Sequence, residues 1–260
     1  MATPKYKVLF VGYGHLAKSL LSKQFLQIST VHAVNSKKKF FHVNMNKSLK
    51  NLNQSYDYVF LLVKPNTFQE AGYTFKDYIG KNSIVISCMA GVLSKTLANK
   101  LSTDKIIRIM PNVMAKSNKS QTSLFAKNKK LIDTNLKKLL SPFGNLIYAS
   151  QEDQMNLATS IYGSGPAFIA FLLNAYILAA KEIDKSKQLK ESQLLDLIKS
   201  VLEINRSSKD LQNFISSIAS KKGTTQAGVR YLESQNIKKT LYTTLLRAYK
   251  RAKELSIEVK

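Results

Sequence analysis

A chain of 260 residues, of which 44% are apolar, is long enough to bury a sizeable core and too apolar to be disordered. Its 40 Lys and Arg residues against 16 Asp and Glu give a formal charge of +24, which would attract nucleic acid, a membrane surface or a phosphorylated ligand. The basic residues are scattered, however, and no RNP-like aromatic motif, zinc-ligand spacing or helix-turn-helix pattern accompanies them, so specific nucleic-acid binding is not expected.

The first half of the chain alternates short β-branched runs with amphipathic helical patterns, which is typical of a parallel sheet covered by helices. Strands are predicted at residues 6–11, 30–35, 58–63, 83–87, 105–110, 122–125 and 146–148. Helices are predicted between them at 15–25, 67–78 and 132–140. The single cysteine, Cys88, follows one of the apolar strands, so we expect a packed thiol in a reducing compartment.

Strand patterns end near residue 150, and the remainder reads as helices at 151–161, 166–183, 191–206, 209–219, 225–234 and 237–255. The sequence therefore predicts an α/β dinucleotide-binding domain with a doubly wound sheet at 1–150 and an all-helical domain at 151–260. The apolar run 167–180 is shorter than a bilayer requires and contains Asn174, so it predicts a core helix rather than a membrane span. With its polar start and no visible signal peptide, the protein is expected in the cytoplasm.

A strand, a G-x-G-x-x-A turn and a helix follow one another at the beginning of the chain, which is the arrangement that binds a dinucleotide. Gly12 makes the tight turn, Gly14 allows the backbone to approach a pyrophosphate, and Ala17 permits close packing of helix and strand. The free N–H groups of the helix N-terminus favour the anion, and His15 and Leu16 lie beside it.

The end of the second strand indicates which dinucleotide binds. An NAD site usually has an acidic residue there for the ribose 2′-hydroxyl, whereas this chain has Asn35, Ser36 and Lys37, followed by two more lysines. Hydroxyl, amide and ammonium groups would hold a 2′-phosphate, so NADPH is predicted, with NADH as the alternative. These lysines could instead belong to the general lysine excess of the chain.

Two further glycine loops occur in the second half. Gly163, Ser164 and Gly165 precede Pro166, which predicts a flexible hairpin with Ser164 as a helix cap and Pro166 in the first helical turn. The last is Gly223-Thr224-Thr225, which alone would be an ordinary helix cap. Three such loops in one chain suggest a cofactor site and a substrate site.

With these loops placed, the chain resembles the pyrroline-5-carboxylate reductase family over nearly its whole length. The resemblance rests on six segments in the same order, at 12–17, 63–65, 87–92, 108–112, 163–167 and 223–225. It implies a Rossmann domain followed by a helical domain that interlocks into a homodimer, often assembled further into rings. It also implies NADPH-dependent reduction of a cyclic imine carboxylate to proline, a reaction that needs little acid–base machinery. With only three histidines, His15, His32 and His42, no metal site is expected.

By this resemblance Thr225 and Ser164 are the catalytic candidates, with the Thr225 hydroxyl meeting the substrate nitrogen. The implied substrate-binding residues are Gly165, Ser220, Gly223, Thr224 and Thr225, with backbone N–H groups around Ser220 to Thr225 holding the carboxylate. Besides Gly12, Gly14, His15, Leu16, Asn35, Ser36 and Lys37, the implied cofactor-binding residues are Val63, Lys64, Pro65, Ala90, Gly91 and Asn112. Lys64 could instead be a solvated lysine, and Asn112 a turn residue that caps its own backbone.

Several positions depart from the family pattern. The usual Ser-Pro-Gly-Gly is Ser220-Lys221-Lys222-Gly223, Tyr162 replaces a serine, Val113 and Met114 replace Thr-Pro, and Leu178 replaces an acid. Two alternatives therefore remain open. One is another NADP-dependent imine or hydroxyacid reductase, although the helical half lacks the catalytic lysine typical of the latter. The other is a non-catalytic, basic Rossmann-derived binding protein.

Overall fold

The computed structural model describes residues 5–35, 37, 39–45, 47–49 and 55–258. Contacts within the chain divide it into two compact units. The first contains the described residues up to Gly165 and those from Leu246 onward, and the second is Pro166–Leu245. The domain boundary near residue 150 stays a prediction.

A mixed sheet forms the centre of the first unit. In the described residues it has nine strands in the order β4-β3-β2-β1-β5-β6-β7-β8-β9. Their bounds are β1 Tyr6–Val11, β2 Ser29–Val34, β3 Phe40–His42, β4 Lys47–Leu49, β5 Tyr58–Leu61, β6 Ile84–Ser87, β7 Ile106–Met110, β8 Ser120–Phe125 and β9 Gly144–Tyr148. The central strands β2, β1, β5, β6 and β7 are parallel, as predicted, whereas β3, β4 and β8 run antiparallel to a neighbour.

Helices cover both faces of this sheet. They are α1 His15–Leu20, α2 Lys23–Ile28, α3 Pro65–Ala71, α4 Ser94–Leu101 and α5 Thr134–Leu140, with 3₁₀ segments Gly72–Tyr78, Val113–Ser117, Lys129–Leu131 and Ser141–Phe143. The single predicted helix at 15–25 is wrong, because the chain turns at Leu21 and a second helix begins. The Ser22 hydroxyl caps that helix by accepting a hydrogen bond from the Phe25 N–H at 3.2 Å.

The core of the first unit is aromatic on one face of the sheet. Phe10, Phe25, Phe60 and Phe143 are fully buried, and their rings meet at centroid distances of 5.1–6.3 Å. Such pairs stabilise a core beyond the area they bury. Cys88 lies buried in the same core, which confirms the expected packed thiol, and burial raises the pKa of this thiol.

The segment around Gly163 is helical. α6 Gln154–Ala158 continues through a π-helical turn, Thr159–Ser164, into α7 Gly165–Ile183, so that residues 154–183 form one helix of 30 residues. The predicted glycine hairpin is therefore wrong, and Ser164 is the last residue of the π turn rather than a helix cap. Pro166 is the second residue after the turn, where its missing N–H and its ring disfavour a regular α-helical bond.

The second unit consists of α7 and the helices α8 Glu191–Ile204, α9 Ser208–Ile218 and α10 Thr224–Ser234, with the first part of α11 Ile237–Glu258. The predicted core helix at 167–180 is wrong for the single chain. Ile169, Phe171 and Leu178 are 60%, 73% and 57% exposed. By length and composition alone, the helix at 154–183 is the one helix of the described residues that could cross a membrane.

Candidate cofactor and substrate sites

The predicted cofactor residues follow the parallel strands of the sheet. Because β1, β2, β5, β6 and β7 are parallel, the segments that follow them lie together at the carboxyl-terminal ends of the strands. Those segments carry Gly12 to Leu16, Asn35 and Lys37, Val63 to Pro65, Ala90 and Gly91, and Asn112. Open α/β sheets bind their ligands at these carboxyl-terminal ends.

Gly12 and Gly14 of the first loop differ in whether the fold requires a glycine there. Gly12 has a φ of +99°, and a Cβ there would lie 2.7 Å from the Leu62 carbonyl oxygen, so the fold itself requires glycine. Gly14 precedes α1 and is exposed, and a Cβ on it would meet no described atom within 4 Å. The protein has no packing need for glycine at Gly14, which leaves open space in front of the free N–H groups of α1.

The loop after β2 is organised by Asn35. Its amide oxygen accepts hydrogen bonds from the backbone N–H groups of Lys37 at 3.0 Å and Lys39 at 3.1 Å. This turn leads the chain into the β3–β4 hairpin and leaves the Lys37 side chain exposed. Ser36 lies outside the described residues. No acidic residue occurs between Val34 and Phe40 in the sequence.

The segment after β5 begins helix α3. The Lys64 carbonyl accepts the Phe68 N–H at 3.1 Å, and Pro65 is the first helical residue, where its missing N–H has no cost. Val63 is half-buried and the Lys64 side chain is exposed at the edge of the sheet.

Helix α11 covers the segment after β6. Gly91 is buried with a φ of +75°, and a Cβ on it would lie 2.6 Å from the Cβ of Leu255. Two polar contacts hold the same part of α11, Tyr249 Oη donating to Asp153 Oδ2 at 3.3 Å and Ser256 Oγ donating to Asn156 Oδ1 at 3.3 Å. Gly91 is thus fixed by contact with α11, while Ala90 beside it is only partly buried.

Asn112 and the π turn are in direct contact. The side-chain amide of Asn112 donates to the carbonyl of Tyr162 at 2.9 Å, and Tyr162 packs near Met110 and Met155. Ser164 is half-buried and Gly165 is buried. The structure therefore joins the segment after β7 to the turn that carries Ser164.

A buried ion pair lies beneath this region, and the sequence reasoning gave it no role. Arg108 on β7 is 1% exposed, and its Nη1 donates to Glu152 Oε1 at 2.9 Å. The same oxygen accepts the N–H and hydroxyl of Ser94 at 2.6 and 2.8 Å. Burial lowers the pKa of the Arg108 guanidinium, and Glu152 opposes that shift. The sequence signal was an arginine inside an otherwise apolar strand.

The histidines of β2 and β3 form a separate cluster. His32 is buried, its Nδ1 forms a 2.8 Å hydrogen bond with the Tyr56 hydroxyl, and its ring lies 4.7 Å from that of His42. Burial and, secondly, the charge of His42 lower the pKa of His32. Burial also raises the pKa of Tyr56 to about 12, so this hydroxyl keeps its proton. Among the described residues no group of His, Cys, Asp and Glu could hold a metal ion.

The predicted substrate loop belongs to the second unit. Gly223 precedes α10 in an extended conformation, and a Cβ on it would displace the Ser220 hydroxyl and lie 3.1 Å from the Ser220 carbonyl oxygen, so the turn leaves little room for a side chain. Lys222 has a φ of +61°, a conformation that costs a non-glycine residue energy, and its N–H donates to Gln226 Oε1 at 3.0 Å. Thr225 is half-buried, and Thr224 is exposed at the start of the helix. Lys222, which stands where the family pattern has glycine, therefore has the left-handed backbone conformation that glycine adopts most easily.

Comparisons with known proteins place both units in the same group of enzymes. Residues 152–255 match a family model described as pyrroline-5-carboxylate reductase dimerisation. The pyrroline-5-carboxylate reductase of Staphylococcus haemolyticus is 31% identical and aligns with 96% of this chain and 98% of its own. The crystal structure of the Plasmodium falciparum pyrroline carboxylate reductase with NADP bound has a TM-score of 0.80 at 20% identity and covers 98% of this chain and 100% of its own. The structure of the Coxiella burnetii pyrroline-5-carboxylate reductase has a TM-score of 0.72 at 26% identity and covers 97% of this chain and 99% of its own.

Proposed function

The chain belongs to the pyrroline-5-carboxylate reductase family, and we propose that it reduces 1-pyrroline-5-carboxylate to L-proline with a nicotinamide dinucleotide. The observation that carries the proposal is the similarity over nearly the full length of both chains. It covers the glycine loop after β1, the π turn and the loop before α10, which are the three segments to which the reaction is assigned.

The loop after β1 fits a dinucleotide. Gly14 leaves open space before α1, and a pyrophosphate there would accept hydrogen bonds from the first N–H groups of the helix, beside His15 and Leu16. When bound, the reduced nicotinamide supplies the hydride that adds to the imine carbon. The segments at Val63–Pro65 and Ala90–Gly91 would border the cofactor at the carboxyl-terminal ends of the strands, and the segment after β7 that begins at Asn112 would lie near its nicotinamide end.

We infer a preference for NADPH over NADH. Asn35 holds the loop after β2 through two backbone hydrogen bonds, and Lys37 is exposed there. A carboxylate at this position would repel a 2′-phosphate, and this chain has none between Val34 and Phe40. Ser36 is part of the same proposal from its sequence position.

The substrate residues act by positioning and charge. The Thr225 hydroxyl would donate or accept a hydrogen bond at the substrate nitrogen, whose protonated form makes the imine carbon more electrophilic. The N–H groups around Ser220, Gly223 and Thr224 would hold the carboxylate at the N-terminus of α10. Ser164 and Gly165 would border the reacting atoms from the π turn.

The exposed apolar surface of the second unit supports a homodimer. Ile169, Phe171 and Ile183 on α7 are 60–80% exposed, as are Leu202 on α8 at 61% and Tyr231 on α10 at 65%. An exposed apolar surface of this kind marks an interface, and the dimerisation model matches the same residues. We propose that a second copy covers these helices in a soluble, cytoplasmic enzyme, and that dimers assemble further into rings.

The test of the function is oxidation of NADPH followed at 340 nm with 1-pyrroline-5-carboxylate, beside a parallel series with NADH. Turnover above an enzyme-free blank, with a higher kcat/KM for NADPH, is the expected result. If NADPH binds without turnover, the reaction assignment is wrong, and other cyclic imines come next. If neither dinucleotide binds, the cofactor assignment is wrong as well.

Thr225 is the sharpest test of the substrate loop. Thr225→Ala should lower kcat/KM about tenfold to a hundredfold, the usual effect of losing a hydrogen bond to a charged group, and leave the NADPH Kd unchanged. Thr225→Ser keeps the hydroxyl and should retain most of the activity. A collapse of NADPH affinity in Thr225→Ala, or equal losses in both variants, would contradict the role given to this hydroxyl.

A further inference from the structure

The π turn contains a backbone carbonyl that its own helix does not pair in the regular way. In an α-helix the carbonyl of Tyr162 would accept the N–H of the residue four positions later, which is Pro166. Proline has no N–H, so this bond cannot form. A carbonyl left unpaired in a half-buried turn would cost free energy comparable to a lost hydrogen bond.

Asn112 supplies a side-chain donor to this carbonyl. Its side-chain Nδ2 donates to the Tyr162 carbonyl at 2.9 Å, from a residue that is 5% exposed. The Asn112 side chain is itself held in place, because Oδ1 accepts the Met114 N–H at 3.0 Å. The Asn112 backbone N–H donates to the Ser120 hydroxyl, also at 3.0 Å. The donor is therefore presented by the end of the sheet in one fixed orientation.

We propose that Asn112 is a positioning residue, whose amide replaces the N–H that Pro166 lacks and thereby fixes the π turn carrying Ser164 and Gly165. Its effect on activity rests on the proposed function, whereas its effect on the turn does not. Asn112 then serves the reaction through Tyr162 and not by touching the nicotinamide. The proposal accounts for both polar ends of its side chain with contacts inside the protein.

The experiment is a double-mutant cycle between Asn112→Ala and Pro166→Ala. An alanine at 166 provides the N–H that an α-helical bond to the Tyr162 carbonyl requires, so the amide of Asn112 should contribute less there. In the wild-type background Asn112→Ala should lower kcat about tenfold, because the turn that carries Ser164 shifts, whereas in the Pro166→Ala background the loss should fall below about threefold. If Asn112→Ala alone does not fold, Pro166→Ala should restore folding, and failure to do so refutes the proposal.

Asn128→Ala is the matched control. Asn128 caps a 3₁₀ segment in the same manner, with Oδ1 accepting the Lys130 N–H at 3.0 Å, and it is exposed. Its effect should be small and identical in the two backgrounds. If Asn112 contacts the cofactor directly, Asn112→Ala will lose equal activity in both backgrounds and weaken NADPH binding in each, which overturns the proposal.

Urea unfolding of the same four proteins separates this inference from the proposed function. The cost of Asn112→Ala in unfolding free energy should be smaller with alanine at 166, whether or not the protein reduces the imine. Additive costs overturn the inference even in an active enzyme. Inactivity of the wild-type protein with a non-additive cycle overturns only the proposed function.

Discussion

Removal of Glu152 tests the buried ion pair most directly. In Glu152→Ala, Arg108 loses the carboxylate at 2.9 Å, and Ser94 loses the acceptor of its N–H and hydroxyl. The guanidinium cannot move to water, because its side chain is 2% exposed. Its Nε and Nη2 already lack hydrogen-bond partners among the described residues. The substitution therefore leaves a buried charge without compensation.

The expected loss of unfolding free energy follows from the solvent exposure of Arg108 and Glu152. Loss of one member of a buried pair typically costs about 3–5 kcal/mol. Because the Glu152 side chain is 25% exposed, water can enter after truncation, and we expect the lower end, about 3 kcal/mol. Arg108→Met removes the buried charge itself and leaves Glu152 its contacts with Ser94, so it should cost about 1–2 kcal/mol. The double variant should cost less than the sum of the two.

Equilibrium urea unfolding, followed by circular dichroism at fixed protein concentration, measures these differences. Glu203→Ala is the control, since its pair with Lys199 is exposed at 3.9 Å and should contribute below about 0.5 kcal/mol. A Glu152→Ala protein within about 1 kcal/mol of wild type would refute the reasoning, because Arg108 would then have another source of compensation. So would additive effects of the two single variants.

Two further predictions concern the cofactor loop and the histidine cluster. Gly14→Ala touches no described atom, so it should leave unfolding unchanged and raise the NADPH Kd about tenfold in a fluorescence titration, whereas a normal Kd would exclude Gly14 from the site. His32 has a lowered pKa, so its neutral form stabilises the folded protein fully above about pH 6.5, and this stability is lost as the pH falls from there through the lowered value. Urea unfolding at about pH 7.5 and 5 should therefore show a larger loss for wild type than for His32→Gln, and equal losses would contradict this assignment.

The sheet was largely predictable because its central strands are buried on both faces and read as apolar runs. β1 has the bounds predicted for it, and the other predicted strands differ only at their ends. The β3–β4 hairpin was missed, since its strands have three residues each and lie among lysines without an alternating pattern. The break at Leu21 was missed because local apolar periodicity continues across it, and the Ser22 cap decides it.

In the candidate site, too, features with a local cause could be predicted from the sequence, and features that depend on long-range contacts could not. Gly12 could be predicted, because a glycine after a strand and before a helix has a local reason. The contact of Gly91 with Leu255 could not, because it joins residues far apart in the sequence. The π turn was mistaken for a hairpin, since two glycines and a proline usually break a helix. Here the Asn112 amide donates to the carbonyl of Tyr162, which cannot form its regular α-helical bond because the residue four positions later is a proline.

Helix α7 shows why apolar composition does not by itself identify what buries a helix. A core helix, a membrane span and an interface helix all present long apolar runs, and the sequence favoured the first. In the single chain Phe171 is 73% exposed and Ile183 is 80% exposed, which excludes a helix buried within its own chain. Helices α8 and α10 also expose apolar side chains, with Leu202 at 61% and Tyr231 at 65%. A bilayer would cover the one described helix that is long and apolar enough to span it, whereas a second copy of the chain can cover several helices at once. The distribution of exposed residues over several helices therefore favours the homodimer, in agreement with the dimerisation family that matches residues 152–255.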